Sequence, residues 1–273
     1  MRTISLPDGG AMPVLGLGTW MMGERKVAAA AELAALKLGL ELGLNLIDTA
    51  EMYGSGGAET IVAEAIAGRR DEVFLVSKVL PQNASRAGTV KACEASLKRL
   101  GTDRLDLYLL HWAGSHPLEG TIAAFEQLKR AGKILRWGVS NFDLAEMEPL
   151  GGTAVASNQV LYNLSRRGIE FDLLPWCRAR GIPVMAYSPI EQGRILNNLA
   201  LVTLAKARGC SSAQLALAWV LRQEGVVTIP KASTLAHVQE NRAALDINLS
   251  EAECAALDKA FPPPRKPSPL AML

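Results

Sequence analysis

The sequence predicts a (β/α)8 barrel, the TIM-barrel architecture, with an N-terminal β-hairpin closing the bottom. Three observations carry that expectation. Eight short apolar runs of strand character recur along the chain, nearly all separated by segments of helical period, and alternating β and α builds a parallel sheet. The length, 273 residues, suits eight such units, since these barrels run to roughly 250 residues. The rival, a doubly wound open sheet, would open its first helix on a G-x-G-x-x-G turn, and none follows the first strand. With no internal linker or boundary, residues 1–273 read as one domain.

The elements follow in order. Thr3-Ile4-Ser5-Leu6 alternates, Pro7-Asp8-Gly9-Gly10 is turn chemistry, and the chain resumes at Met12, giving the hairpin. The first buried strand covers 14–18 and ends in Gly18-Thr19-Trp20. Residues 26–42 read as a helix with Val27, Ala31, Ala34, Leu38 and Leu42 on one face, stopped by Gly43. The strand 44–48 comes next, rich in branched side chains. A helix over 58–67 leads through Gly68-Arg69-Arg70-Asp71 to the strand 73–78. Helix 89–100 precedes strand 105–111, and helix 118–131 precedes strand 134–140. A short helix over 144–150 precedes strand 154–159, and helix 171–180 precedes strand 183–188. Helices over 200–208 and 212–223 lead to the last strand, 226–229. Helices over 236–244 and 251–260 close the chain, and Pro262-Pro263-Pro264 bars further helix.

Composition narrows the function classes. Hydrophobic residues make up 49%, enough for a large core and contrary to disorder. Charged residues are 21% with a net charge of +2, and no basic patch carries interleaved aromatics, which argues against a nucleic-acid partner. Cys93, Cys177, Cys210 and Cys254 are scattered without a C-x-x-C pair or metal-ligand spacing, as expected of a reducing compartment and no metal site. The N-terminus has no apolar leader, and no apolar run approaches membrane-spanning length. The expectation is a cytoplasmic protein with no membrane partner.

The polar residues at the strand ends carry the functional signal. In order they are Trp20, Asp48, Lys78, His111, Ser140-Asn141, Gln159, Tyr187-Ser188 and Lys231. In a β/α barrel such positions converge on the C-terminal face, where active sites lie. Each has a bland reading on its own: Asp48 and Lys78 as a structural ion pair, His111 as a bonded core histidine, Trp20 and Trp112 as packing. Together with Tyr53 they form a chemical unit. A phenol donates protons poorly at its ordinary pKa of about 10. A neighbouring ammonium lowers that value, and a carboxylate holds the ammonium in place. Tyr53 is then suited to protonate an oxygen that becomes an alkoxide, and a neutral His111 to orient that oxygen. Carbonyl reduction fits this set, with the electrons supplied by a cofactor.

Those residues, with Gly16-Leu17-Gly18-Thr19-Trp20, Gly138-Val139-Ser140-Asn141 and Ile229-Pro230-Lys231, make the chain resemble an aldo-keto reductase over nearly its whole length. The resemblance implies a barrel that binds NADPH extended across its C-terminal face, and a catalytic tetrad of Asp48, Tyr53, Lys78 and His111. It further implies that Ser140, Asn141 and Gln159 bond the nicotinamide carboxamide and that Tyr187 stacks on the ring. Gly18, Thr19, Trp20 and Ser188 would touch the nicotinamide half and pyrophosphate. Lys231, Ser233, Thr234, His237 and Asn241 would hold the adenosine end. Substrate walls would be Trp20, Met22, Met52 and Trp112, beside His111. The compact form, with Ala50-Glu51-Met52-Tyr53 and Tyr187-Ser188-Pro189, is similar to bacterial members that reduce methylglyoxal and other small or aromatic aldehydes. A monomer is the expectation from the family.

One departure stands out. The commoner family pattern has arginine at His237, where it binds the 2′-phosphate of NADP. Histidine cannot make a bidentate fork and is largely neutral at working pH. Lys231 remains, so NADPH is expected with weaker discrimination against NADH. Two other functions stay open from sequence: a non-catalytic, redox-sensing nicotinamide-binding protein on the same fold, and a Schiff-base aldolase using Lys78.

Overall fold

Eight parallel strands, each hydrogen-bonded to the next in chain order, form the barrel wall in the computed structural model, which describes residues 1–273. Before them, β1 (Thr3–Ser5) pairs antiparallel with β2 (Ala11–Pro13), Ile4 opposite Met12. The wall strands are β3 (Gly16–Gly18), β4 (Leu46–Asp48), β5 (Phe74–Val79), β6 (Leu107–Leu110), β7 (Trp137–Ser140), β8 (Val155–Leu161), β9 (Val184–Tyr187) and β10 (Val226–Thr228). Parallel bridges Leu15–Thr228 and Gly18–Lys231 join the two edge strands, and the Thr228 N–H donates to the Val14 carbonyl at 2.9 Å. Gly18 is required at that seam, because a Cβ there would lie 2.5 Å from the Ile229 carbonyl oxygen.

The helices are α1 (Ala29–Glu41), α2 (Gly57–Ile66), α3 (Arg86–Leu100), α4 (Leu118–Arg130), α5 (Leu144–Met147), α6 (Leu173–Ala179), α7 (Leu199–Arg208), α8 (Ser212–Leu221), α9 (Leu235–Ala243) and α10 (Glu251–Ala260). Local chemistry sets several of their ends. Ser85 caps α3 through the Gly88 N–H, and Gly101 ends it at φ 61°. Ser211 with Gln214 and Ser250 with Glu253 form capping boxes on α8 and α10. No helix is long and apolar enough to cross a membrane.

Two expectations about α1 need correction. The segment opens as a 3-10 turn, Lys26–Ala28, and its buried face is Glu32, Ala35, Leu36, Gly39 and Leu40 rather than the stripe through Val27, which is 92% exposed. The helix is alanine- and leucine-rich on nearly every side, so periodicity had no polar face against which to fix the buried one. Similarly, the expected helix over 144–150 is one α turn, α5, continued by the 3-10 turn Glu148–Leu150 with Pro149 inside it.

Alternation along the strands explains both core and site. Leu46, Phe74, Val76, Leu107, Leu109, Met185 and Val227 fill the barrel, and Leu6 and Met12 from the hairpin join them from below. Ile47, Leu75, Tyr108 and Leu110 face outward to the helices. The next inward positions above the apolar layers are Asp48, Lys78, His111 and Tyr187. The polar site is the top layer of the barrel's own packing.

Candidate active site

Lys78 is fully buried, and its ammonium spends all three donors on protein groups. Nζ lies 2.8 Å from Asp48 Oδ2, 2.9 Å from the Thr49 carbonyl and 3.2 Å from the Tyr53 hydroxyl. Asp48 Oδ1 accepts from Gln159 Nε2 at 2.8 Å. Lys78 is the penultimate residue of β5 and Gln159, level with the last residue of β7, lies two residues before the end of β8; the two hold Asp48 from different sides.

Tyr53 opens a 3-10 turn, Tyr53–Gly56, in which Gly54, Ser55 and Gly56 all take positive φ. Gly56, at φ 90°, also leaves room for the Arg99 side chain, which a Cβ would meet at 2.6 Å. Arg99 is ion-paired with the buried Glu59. Glu51 ties the same loop to the β5–α3 connection, its Oε1 accepting from the Leu80 N–H at 2.7 Å and Asn83 Nδ2 at 3.0 Å. The Tyr53 ring meets His111 edge-on, with centroids 5.8 Å apart. The buried Nδ1 of His111 has no partner within the protein.

Electrostatics differ from the sequence expectation at one point. Burial, the largest influence, raises the Tyr53 pKa, and Asp48 pushes the same way. Lys78 offsets them only in part, so the phenol sits above its ordinary value rather than below it. Burial works against the Lys78 ammonium, but Asp48, with the Tyr53 contact, holds its pKa above normal. Burial and then the Lys78 charge push His111 down to about 3. His111 is therefore neutral at working pH. The state of Lys78 disfavours the aldolase alternative, since a Schiff-base lysine must be neutral and reachable.

The His111 shift has a consequence for stability. Its native pKa is depressed below the unfolded value of 6.5, so between 6.5 and about 3 the unfolded chain binds a proton that the native one does not. Stability is fully present above that window and is lost as pH falls through it, by up to about 1.4 kcal/mol per unit. His111→Gln is expected to flatten this dependence. Urea unfolding at pH 7 and pH 5 checks it: the drop should be about 1–2 kcal/mol smaller in the variant, and an equal drop in both proteins would refute it.

Asp48, Tyr53 and His111 form the floor of a cavity of about 800 Å3. Of the expected residues, Gly18, Trp20, Asp48, Met52, Tyr53, His111, Trp112, Ser140, Asn141, Gln159, Tyr187, Ser188, Lys231, His237 and Asn241 line it. Five do not. Lys78 lies behind Asp48 and Tyr53. Thr19 is buried and donates to the Asp48 carbonyl at 3.0 Å. Met22 is packed in the core, because the chain turns at Met21 (φ 63°) and the Met22 N–H folds back to the Thr19 carbonyl; Met21 faces the cavity instead. Thr234 spends its hydroxyl capping α9, and Ser233 faces a neighbouring cavity. Sequence reasoning missed Met21, Gln192, Ser211, Ser212, Glu240, Met272 and Leu273. Glu240 was findable, since helical spacing from His237 places 240 and 241 on one face.

Left-handed backbone at non-glycine residues is confined to this mouth. Met21, Asn141, Ser188 and Gln192 line the cavity, Ser55 belongs to the Tyr53 turn, and Glu191 precedes Gln192. Asn141 is held by its side chain, with Nδ2 donating to the His111 carbonyl at 3.2 Å and Oδ1 accepting from the Tyr187 hydroxyl at 2.9 Å. Strain of this kind collects where function fixes geometry.

A barrel with a buried Asp–Lys–Tyr set and a neutral histidine at its C-terminal face defines a class of oxidoreductases. The chain belongs to the aldo/keto reductase family, whose sequence model matches residues 14–261. Among curated proteins it is 56% identical over 272 residues to methylglyoxal reductase YeaE of Escherichia coli (strain K12), covering 96% of each chain. It is 36% identical over 259 residues to glyoxal reductase of Bacillus subtilis (strain 168), covering 94% of this chain and 91% of that one. Among solved structures, an aldo/keto reductase from Klebsiella pneumoniae in complex with NADP and acetate superposes with a TM-score of 0.97 at 51% identity, covering 100% of this chain and 99% of the other.

Proposed function

We propose that this protein reduces methylglyoxal and other small or aromatic aldehydes with NADPH, Tyr53 acting as general acid. The observation that carries the reading is the convergence of the Tyr53 hydroxyl and a neutral His111 on one cavity, with the Lys78–Asp48 pair behind the hydroxyl. When bound, the cofactor supplies a hydride to the carbonyl carbon. Tyr53 gives its proton to the oxygen, and the Lys78 ammonium at 3.2 Å stabilises the phenolate left behind. Asp48 keeps Lys78 charged and fixed. His111 donates one hydrogen bond to the carbonyl oxygen, aiming it at Tyr53. The raised Tyr53 pKa serves this direction, because the phenol stays protonated until the alkoxide forms.

Cofactor fit rests on the residues present. The cavity, of about 800 Å3, is lined from Asp48, Tyr53 and His111 past Ser140, Gln159 and Tyr187 to Lys231, His237 and Asn241, with polar side chains at both ends. The reductases named above, one bound to NADP in its crystal and one acting on methylglyoxal, support the same assignment. Trp20, Met52 and Trp112 leave an apolar wall beside His111 for the substrate's remainder. The test is loss of reduced-nicotinamide absorbance with NADPH, and separately NADH, on methylglyoxal and a panel of aromatic aldehydes. Tight cofactor binding without turnover on any aldehyde would overturn the reading in favour of a binding protein.

His237→Arg is expected to tighten NADPH by roughly 3- to 10-fold, through a charge-assisted contact at an exposed position, and to leave NADH nearly unchanged. Equal effects on both nucleotides would show that position 237 does not face the 2′-phosphate.

A further inference from the structure

Where the main cavity reaches Lys231, a second cavity of about 540 Å3 adjoins it, and the two share Met21 and Lys231. Its polar lining is Glu24, Arg25, Glu32, Lys231 and Ser233. Barrel closure puts these side chains together. The Gly18–Lys231 bridge and the Gly18 N–H, 3.1 Å from the Pro230 carbonyl, fix the loop after β3 against the loop after β10. Glu32 then anchors the first of those loops by accepting from the Gly23 N–H at 3.0 Å. The seam that closes the barrel thus brings Arg25 and Lys231 to the lining of one chamber.

The charges there are available rather than spent. Lys231 Nζ touches only Ser233 Oγ, at 3.3 Å, and no hydrogen bond or ion pair holds the Arg25 guanidinium. Arg69, Arg104 and Arg208, by contrast, are tied to carboxylates. Of the two acids in the cavity, Glu32 is buried and turned on the Gly23 amide, which leaves Glu24 as the exposed one. Two unpaired cations and a hydroxyl share the chamber with the Glu24 and Glu32 carboxylates, and they are the donors that a phosphate would meet there. Through Lys231 the chamber adjoins the main cavity, whose lining includes His237, the position where a guanidinium is missing.

We propose that Arg25 selects NADPH over NADH in this protein: with Lys231 and Ser233 it takes the 2′-phosphate, supplying from the β3–α1 loop the guanidinium that α9 lacks at His237. This rests on the reading that the main cavity holds a nicotinamide dinucleotide with its adenosine end at Lys231. A fork-shaped donor from a different loop does the work of the missing arginine without crowding α9.

The experiment is direct titration of NADPH and NADH into wild-type protein, Arg25→Gln and Arg25→Lys, followed by quenching of tryptophan fluorescence from Trp20 and Trp112. Arg25→Gln is expected to weaken NADPH by roughly tenfold and NADH by less than about twofold, the size of one charge-assisted contact at an exposed site. Arg25→Lys should recover part of the loss, since it restores charge but not the fork. Added salt should narrow the NADPH–NADH gap in wild type more than in Arg25→Gln. If Arg25→Gln weakens both nucleotides equally or neither, or if wild type binds both alike, the inference is overturned while the reductase reading stands. If wild type binds neither nucleotide, the reductase reading itself fails.

Discussion

Tyr53→Phe is expected to lower kcat for aldehyde reduction by about 10²- to 10⁴-fold, the range of a lost general acid, with NADPH affinity nearly unchanged. The substitution deletes one oxygen and keeps the ring, so the edge-on contact with His111 and the packing of the Tyr53 turn survive. Lys78 loses one acceptor but keeps Asp48 Oδ2 at 2.8 Å and the Thr49 carbonyl at 2.9 Å. Unfolding free energy should therefore fall by no more than about 1.5 kcal/mol, the net worth of one hydrogen bond. The hydroxyl matters chiefly when negative charge develops on the substrate oxygen, so kcat should fall more than KM rises. Steady-state kinetics with a nucleotide titration decides it. A variant that keeps most of its kcat would remove Tyr53 from the mechanism.

The barrel was legible because its evidence is repetitive: strand, helix and polar strand end recur with one period, and an error in one unit does not alter the rest. Asp48, Lys78 and His111 were legible for a related reason, since each continues the inward alternation of its own strand above Leu46, Val76 and Leu109. Tyr53 was not legible from periodicity, because it opens a turn with three successive positive-φ residues where no period holds; its closeness to Asp48 in sequence and its chemistry beside Lys78 pointed to it, and the family resemblance agreed. Met22 failed for the same physical cause. One left-handed residue at Met21 exchanges which neighbour faces the cavity, and nothing in Met21-Met22 marks the exchange. The direction of the Tyr53 shift was misjudged because sequence names charged neighbours without saying how deeply the phenol is buried. Met272 and Leu273 come from a proline-rich tail whose path across the mouth follows no pattern in the sequence. At α1 the trouble was the opposite, too many apolar residues rather than too few.

Lys78→Met is expected to destabilise the protein by about 3–5 kcal/mol, the cost of stranding one partner of a buried ion pair. The methionine fills most of the space, so the loss is electrostatic. Asp48 would retain Gln159 Nε2 at 2.8 Å but face the Tyr53 hydroxyl and the Thr49 carbonyl with no cation between them. Adding Asp48→Asn removes the stranded charge and keeps an oxygen for Gln159, so the double variant should regain about 2 kcal/mol or more relative to Lys78→Met. Activity should not follow. Neither variant has an ammonium to stabilise the Tyr53 phenolate, and both should lose about 10² or more of kcat, as expected when a proton donor's partner is gone. Stability that returns while activity stays low would mean that the pair is kept at the barrel's polar layer for its chemistry, since a neutral arrangement there folds nearly as well. Urea unfolding and steady-state kinetics on the same three preparations make the comparison. If the double variant is no more stable than Lys78→Met, the Asp48 charge is not what the lysine compensates, and the Lys78 contacts to the Thr49 carbonyl and Tyr53 would have to carry the loss.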